Sequence, residues 1–186
     1  MQKYTVKQRT ELPQEKCKRP LKGYAMKTSP DFELLKDAYA IIDGIPETAI
    51  ALGNLQTARG ESLDKGTICS PAGWLAQHPT FTKLGLSLSD DGSRLCFGDQ
   101  SAGSGAEAQV MAQVFGLQQT EAEHLFGDRD TYSLGDDSGL SDKRLWLREV
   151  REFLKRHGQL DEEFEEQLET RMPFAEPANP VEIRAL

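Results

Sequence analysis

The chain has little of what marks secreted, membrane-spanning or disulfide-rich proteins. Its 186 residues include three cysteines, Cys17, Cys69 and Cys96, which are odd in number and far apart. A disulfide framework is built from paired cysteines, so we expect a reduced chain. No apolar run approaches the ~20 residues that cross a bilayer, and the first residues lack the apolar stretch of a secretion signal. These absences favour a cytoplasmic protein without direct membrane contact.

Apolar residues are also scarce. Hydrophobic residues make up 38% of the chain and aromatic residues 8%, and the mean hydropathy is −0.55. This composition predicts a modest core with polar arms rather than a compact globule over the whole length. The length is sufficient for one domain with a real core and an appendage.

Charge divides the chain into three regions. Residues 1–29 carry eight Lys and Arg against two Glu, residues 30–158 carry twelve against twenty acidic residues, and residues 159–186 carry two against eight. We therefore predict a basic N-terminal arm, an acidic core domain and an acidic C-terminal helix with a tail. Oppositely charged arms attract one another, either within a chain or between chains. A homo-oligomer therefore remains an alternative. The acidic body disfavours simple binding to a phosphate backbone.

The core region is predicted to be mostly α (α+β), with about five to six helices and one small β-hairpin. Caps, prolines, glycines and apolar spacing place the helices. The predicted helices are 30–43 (capped by Ser29), a short one from Pro46, 71–77 (capped by Ser70), 106–115 (ended by Gly116 in the left-handed conformation), a capping-box helix from Thr120 to 126, 141–157 (with Trp146, Val150, Phe153 and Leu154 pointing inward) and 161–172. Alternation around Asp90-Asp91-Gly92 predicts the hairpin near 86–97. Residues 55–66 are predicted to form a loop or a short, poorly packed helix, and residues 100–105 and 128–139 are predicted loops.

One stretch of the chain resembles a known group of sequences. It contains Gly66-Thr67-Ile68-Cys69, then Ala72-Gly73-Trp74, Phe97-Gly98, Phe115-Gly116-Leu117, Glu121-Ala122 and Leu125-Phe126-Gly127. This succession resembles a loose group of small bacteriophage and bacterial proteins of unassigned function. The resemblance covers about a third of the chain and excludes both arms, and here residues 79–99 are inserted between its halves. It implies a phage-like or mobile-element setting, with the host cytoplasm as compartment, and brings no catalytic residues.

Cys69 is the residue on which an enzyme hypothesis would rest. It precedes the helix that begins at Pro71, and the positive end of a helix lowers the pKa of a nearby thiol. A cysteine nucleophile also needs a base, and His78 and His124 are the candidates. The opposing interpretation is a cysteine packed as a small hydrophobic residue beside Ile68 and Trp74. We favour packing and keep a Cys-dependent hydrolase or transferase as the alternative.

Other site types lack their patterns. The cysteines with His78, His124 and His157 show no metal-ligand spacing, so we expect no metal. Gly103-Ser104-Gly105 precedes a helix but lacks the Lys-Ser/Thr of a phosphate-binding loop, and we expect no cofactor. The acidic pairs near 128–130 and 136–137 lack the spaced ligands of a calcium loop. These segments are predicted to be solvated loops.

The acidic C-terminal helix is the feature with a functional interpretation. It carries five carboxylates, Glu162, Glu163, Glu165, Glu166 and Glu169. Carboxylates on a helix dock on basic protein surfaces and compete for nucleic-acid channels, although they also serve as plain solvation. We therefore expect a non-enzymatic interaction protein that inhibits or adapts a host protein complex, which can itself bind nucleic acid. An anti-defence, anti-CRISPR-like inhibitor is the most specific form of this hypothesis.

Overall fold

The fold was analysed in a computed structural model that describes residues 29–58, 67–98, 100–101, 107–132, 139–160, 162 and 164–166. This part contains six α-helices with defined bounds, further helical residues at 162 and 164–166, and two small antiparallel sheets, so the domain is mostly α (α+β), as predicted. The arm 1–28, the loop at Gly103–Gly105, the Asp136-Asp137 pair, Glu163 and Glu169 lie outside the described residues. No helix in the described part is long and apolar enough to cross a bilayer.

The elements follow one another with short connections. The helices are α1 (Phe32–Asp43), α2 (Pro71–Leu75), α3 (Pro79–Lys83), α4 (Glu107–Phe115), α5 (Gln119–Phe126) and α6 (Asp142–Arg156). The strands are β1 (Thr57–Ala58), β2 (Thr67–Ile68), β3 (Leu86–Leu88), β4 (Leu95–Phe97) and β5 (Gln100–Ser101). Two 3₁₀ helices cover Glu47–Ala49 and Arg129–Thr131.

The start of α1 corrects the sequence prediction. The cap is Asp31, whose carboxylate accepts a hydrogen bond from the backbone N–H of Leu34 at 2.9 Å. Ser29 was predicted to be the cap, with Pro30 as the first helical residue. Both Ser and Asp accept well at this position, so the two side chains were competing candidates two residues apart. The backbone N–H of Asp31 also donates to the carbonyl of Phe115 at 2.7 Å, which ties the start of α1 to the end of α4.

Two helices in the middle of the chain begin with a cap and a proline. Ser70 caps α2 by accepting from the N–H of Gly73, as predicted. His78 caps α3, since its Nδ1 accepts from the N–H of Thr80 at 3.3 Å. The pair His78-Pro79 was predicted only to end α2, so α3 was missed. A helix of five residues has too few positions to show a period.

The sheets are confirmed in part. β3 and β4 pair antiparallel with Leu86 opposite Phe97, and Gly92 in the turn has φ +70°, as an Asp-Gly turn requires. β5 extends this sheet where a flexible loop was predicted. β1, which lies in the segment predicted as a loop or a poorly packed helix, pairs with β2 just after that segment. Strands of two residues cannot show alternation, so these pairings were not visible in the sequence.

The connection between α4 and α5 confirms one prediction and corrects another. Gly116 has φ +67°, the left-handed conformation predicted for the residue that ends α4. The capping box of α5 belongs to Gln118 and Glu121, because the Glu121 carboxylate accepts from the N–H of Gln118 at 2.8 Å. Thr120 was predicted as the cap, but it lies inside the first turn of the helix.

A row of aromatic rings runs through the core and joins four helices. Phe81 of α3 lies 5.7 Å from Phe115 of α4, and Phe115 stacks on Phe126 of α5 at 5.4 Å between ring centres. Phe126 then lies 6.1 Å from Trp146 of α6. Offset and tilted pairs at these separations are the favoured geometries for aromatic rings. This aromatic row therefore fixes the relative positions of α3, α4, α5 and α6.

Helix α6 is the longest element and packs along α1. Its buried face consists of Leu145, Trp146, Leu147, Val150, Phe153 and Leu154, and four of these were predicted to point inward. The indole N–H of Trp146 is buried without an acceptor among the described residues. Gly158 ends the segment with φ +65°. The core continues beyond this glycine, because Phe164 is 8% exposed and its ring contacts Tyr39 of α1 at 5.6 Å.

Asp142 connects three segments at the start of α6. One carboxylate oxygen accepts from the backbone N–H of Leu52 at 2.8 Å, and the other pairs with the guanidinium of Arg129. Arg129 also donates to the carbonyl of Leu140 at 2.9 Å. Hydrogen bonds to charged groups are about twice as strong as neutral ones, so this carboxylate holds the loop after the first 3₁₀ helix against α6.

Gly73 marks a close approach of two backbones. It is buried in α2, and a Cβ atom at this position would overlap the carbonyl oxygen of Leu55 and lie 3.1 Å from the Cβ of Cys69. Glycine is therefore required at position 73 for packing, because only a hydrogen atom fits between α2 and the loop that carries Leu55.

Gly73→Ala is expected to destabilise the fold by about 2–4 kcal/mol, since the neighbouring atom is backbone and cannot rotate away. Gly139→Ala is the matched control, because nothing lies within 4 Å of a Cβ at that position. Urea unfolding followed by circular dichroism measures both variants. Equal stability of the two would contradict the close approach.

Phe115→Ala is expected to lower the free energy of unfolding by about 3–5 kcal/mol, because it leaves a cavity in the middle of the aromatic row. Phe115 is fully buried, whereas Phe97 lies at the edge of the core and is half-buried. Phe97→Ala should therefore cost clearly less in the same unfolding measurement. A larger loss at Phe97 than at Phe115 would show that the row is not the centre of the core.

Candidate functional site

The environment of Cys69 is apolar and closed. Cys69 is 0% exposed, and its backbone lies beside the first 3₁₀ helix, with its N–H donating to the carbonyl of Ala49 at 3.1 Å. The sulfur accepts from the side-chain amide of Gln77 at 3.4 Å. Burial raises the pKa of the thiol, and the Gln77 hydrogen bond opposes this only in part. A thiol with a raised pKa carries little of the thiolate that nucleophilic chemistry needs.

The histidines proposed as bases for Cys69 have other partners. The Nδ1 of His78 accepts from the N–H of Thr80, so this nitrogen carries no proton. The Nε2 of His124 lies 3.0 Å from the carboxylate of Glu149, which also binds Arg148 at 2.7 Å. The described partner of the sulfur is thus an amide, and the structure does not assemble a Cys-His pair from these residues. His157, in contrast, bonds the Phe153 carbonyl at 2.9 Å, as expected near the end of a helix.

Cys96 corrects the expectation of a fully reduced chain. It is fully buried in β4 and disulfide-bonded, whereas Cys69 is free. Cys17 lies outside the described residues. Odd number and wide spacing argue against a disulfide framework, but they do not exclude one bond, because cysteines far apart in sequence meet in the fold. Disulfides persist mainly in oxidising compartments.

Among the described residues, no group of three or more His, Cys, Asp or Glu side chains is placed to hold a metal ion. Asp91, in the hairpin turn, accepts from the hydroxyls of Ser89 and Ser93 at 2.6 Å each, which holds the pKa of its carboxyl well below the usual range. This carboxylate therefore acts as a turn residue, as predicted.

The acidic C-terminal segment is anchored by one aromatic ring. Positions 162 and 164–166 are helical, and Phe164 packs on Tyr39 with the ammonium of Lys36 5.7 Å from its ring centre. Glu162 and Glu166 are exposed, and Glu165 pairs with Arg151 at 2.9 Å. At about 100° per residue, these three glutamates occupy one face of the helix and Phe164 the opposite face. We call Glu162, Glu165 and Glu166 the acidic face.

An apolar cavity of about 460 Å³ lies between the end of α1 and the α2–α3 corner. Its walls are Ala40, Ile41, Gly44, Ile45, Trp74, Gln77, His78 and Pro79. The indole N–H of Trp74 donates to the carbonyl of Ala49 at 2.9 Å, which fixes the ring. The cavity is not on the same side as the acidic segment, since Tyr39 and Ile41 are two residues apart on α1 and point about 200° apart.

Comparison with known proteins adds no family: no family model, curated protein or solved structure matches this chain. The site assignment therefore rests on geometry alone. Sequence reasoning singled out Cys69, the histidines and the acidic helix, and it missed the apolar cavity. Ile41 and Trp74 were recognisable as apolar residues on helices and Ile45 as an apolar residue between two helices. Nothing in their spacing shows that α1 and the α2–α3 corner leave a gap between them.

Cys69 is expected to resist alkylation in the native protein and to react rapidly after denaturation, because its sulfur is buried and its thiol pKa is raised. Iodoacetamide labelling at pH 8, followed by peptide mass spectrometry, measures the extent of reaction at each cysteine. Cys69→Ser serves as the control for assigning the labelled peptide. Complete native labelling of Cys69 within seconds would contradict the packed thiol and favour the Cys-dependent alternative.

Proposed function

We propose that this protein is a non-enzymatic interaction protein that binds a basic surface of a host protein complex and inhibits or adapts it. The observation that carries the proposal is the acidic face. Phe164 packs on Tyr39 of α1, and Glu162 and Glu166 of the same segment are exposed. An ordered charged surface loses less conformational entropy on binding than a free arm does.

The chemistry of the acidic face suggests what kind of partner it binds. Basic grooves are the surfaces with which proteins bind nucleic-acid phosphates, and carboxylates on a rigid helix compete for the same Lys and Arg side chains. A nucleic-acid-binding host complex is therefore the proposed partner, and blocking a nucleic-acid-guided defence effector is the most specific form of the proposal. This form rests on the phage-like resemblance in addition to charge.

The geometry favours binding over thiol chemistry as the basis of function. Cys69 is buried, hydrogen-bonded to Gln77 and higher in pKa than an ordinary thiol. A surface role needs none of these features to change, whereas catalysis at Cys69 would need the sulfur to become exposed and to reach a base. We therefore rank the interaction function first.

Reversing the acidic face tests the proposal. The triple variant Glu162→Lys, Glu165→Lys and Glu166→Lys should weaken partner binding at least about tenfold, because rim charges set electrostatic complementarity. The partner is first captured from a bacterial lysate and identified, and Kd is then measured with the purified partner at two salt concentrations. Wild-type binding should weaken with added salt, since exposed charges are screened beyond about 10 Å at 0.1 M.

The control is a second triple variant, Asp90→Lys, Glu123→Lys and Asp130→Lys, which makes the same change in net charge at three other exposed acidic residues. It should bind the partner as wild type does. Both triple variants should keep a thermal midpoint within a few degrees of wild type, because exposed ion pairs such as Glu165–Arg151 contribute about 0–1 kcal/mol. Equal loss of binding in both variants would mean that net charge alone matters and would exclude the acidic face as the contact surface.

A further inference from the structure

Helix α6 carries basic side chains along its solvent side. Arg144, Arg148, Arg151 and Lys155 follow one another at intervals of four, three and four residues. At about 100° per residue, all four lie within an arc of about 60°. The centre of this arc is opposite the buried face of the helix, which packs in the core. We call these four residues the basic face.

The basic face differs in charge from the chain as a whole. The formal net charge of the protein is −8, whereas α6 holds six Lys and Arg against three acidic residues. At about 1.5 Å per residue, the basic face spans about 16 Å along the helix. Charges further away than about 10 Å are largely screened at 0.1 M salt. The potential in front of α6 is therefore set by the basic face and its immediate neighbours rather than by net charge.

Two cations of the basic face form exposed ion pairs. Arg144 pairs with Glu47 of the first 3₁₀ helix at 2.8 Å, and Arg151 pairs with Glu165 of the C-terminal segment at 2.9 Å. All four side chains are exposed, and such pairs contribute little to stability. An incoming anion can therefore replace either carboxylate. Lys155 is exposed and has no side-chain partner among the described residues, so it is available directly.

Arg148 is the least available member of the basic face. Its guanidinium binds one carboxylate oxygen of Glu149 at 2.7 Å, and the other oxygen of that carboxylate lies 3.0 Å from His124. This carboxylate is mostly buried, at 14% exposure, and is held from two sides. We therefore assign direct contacts with a bound anion to the other three residues of the basic face.

The chemistry of α6 distinguishes between kinds of partner. Every α6 residue outside its buried face is charged, whereas protein–protein interfaces have an apolar or aromatic centre. The basic face has no aromatic ring on which an unpaired base could stack, and no hydroxyl or amide group for the 2′-OH of RNA. Arg and Lys contacts to phosphates are sufficient for sequence-independent binding of duplex DNA. The dimensions also fit, since about 16 Å of duplex presents about five phosphates of one strand.

We propose that the basic face of α6 binds the phosphate backbone of duplex DNA without reading its sequence. Arg144, Arg151 and Lys155 each contact a phosphate. Glu165 occupies Arg151 in the free protein, and a phosphate displaces it on binding. The C-terminal segment therefore competes with DNA for one of the three contacts. This goes beyond the binding of a host complex proposed above and uses a different surface, so either proposal can fail while the other stands.

Fluorescence anisotropy of a labelled DNA duplex tests the proposal on the full chain. At low salt the Kd should be on the order of 1–100 μM, as for other sequence-independent contacts. The logarithm of the binding constant should fall with the logarithm of the salt concentration with a slope of about −3, because three phosphate contacts release their counterions. A Kd that does not depend on salt, or no binding up to about 1 mM protein, would overturn the proposal.

A double variant tests the location. Arg144→Gln with Lys155→Gln removes the two ends of the basic face, so it should weaken binding at least about tenfold and reduce the slope by about 2. The matched control, Lys83→Gln with Arg94→Gln, makes the same change in net charge outside α6 and should keep the wild-type slope. None of the four side chains is buried, so circular dichroism should show wild-type folding in both variants. Equal loss of binding in the two variants would exclude the basic face.

Two further measurements test the competing carboxylate and the kind of partner. Glu165→Gln should tighten DNA binding about two- to fivefold, because it releases Arg151 from an exposed pair. Glu123→Gln, at an exposed position of α5, should leave the Kd unchanged. An unchanged Kd for Glu165→Gln would overturn the displacement step. Single-stranded DNA, duplex RNA and polyglutamate should each bind more weakly than duplex DNA. Equal or tighter binding of any of them would overturn duplex DNA as the ligand, and polyglutamate in that position would indicate an acidic protein partner.

Discussion

The aromatic row from Phe81 to Trp146 is the interaction on which the rest of the structure depends. It links four helices, α3 to α6. The described sheets are too short to organise a core by themselves. The row includes one buried polar group without an acceptor among the described residues, the indole N–H of Trp146. Leaving such a donor unpaired costs about 1–3 kcal/mol. Burying an indole of about 200 Å² contributes about 5 kcal/mol, so burial wins.

Helix α1 connects the core with the acidic face on one side and with the apolar cavity on the other. One side of it receives Phe164 and thereby positions the acidic face, and the other side forms a wall of the apolar cavity. Its inward face, with Leu35, Ala38 and Ile42, is fully buried. Apolar residues are scarce in the chain. One short helix therefore contributes both to the core and to two exposed surfaces.

Much of the helical architecture was predictable because its signals are local. Ser70 as cap of α2, Gly116 at the end of α4 and the inward face of α6 follow from backbone chemistry within a few residues, and all were confirmed. The caps of α1 and α5 were wrong by two residues in each case, because several neighbouring side chains can accept the same hydrogen bond. The two-residue strands and α3 were missed because they are too short to repeat their own pattern.

The sequence by itself determined which residues are apolar, where most helices begin and end, and that the C-terminal segment carries a run of carboxylates. These properties depend on residues within a turn or two of one another. Only the tertiary structure decided that Cys69 is closed off by Gln77, that Cys96 is disulfide-bonded, and that Ile41, Trp74 and His78 line one cavity. Each of these depends on segments far apart in the chain, whose approach is set by packing of the aromatic row rather than by any local pattern.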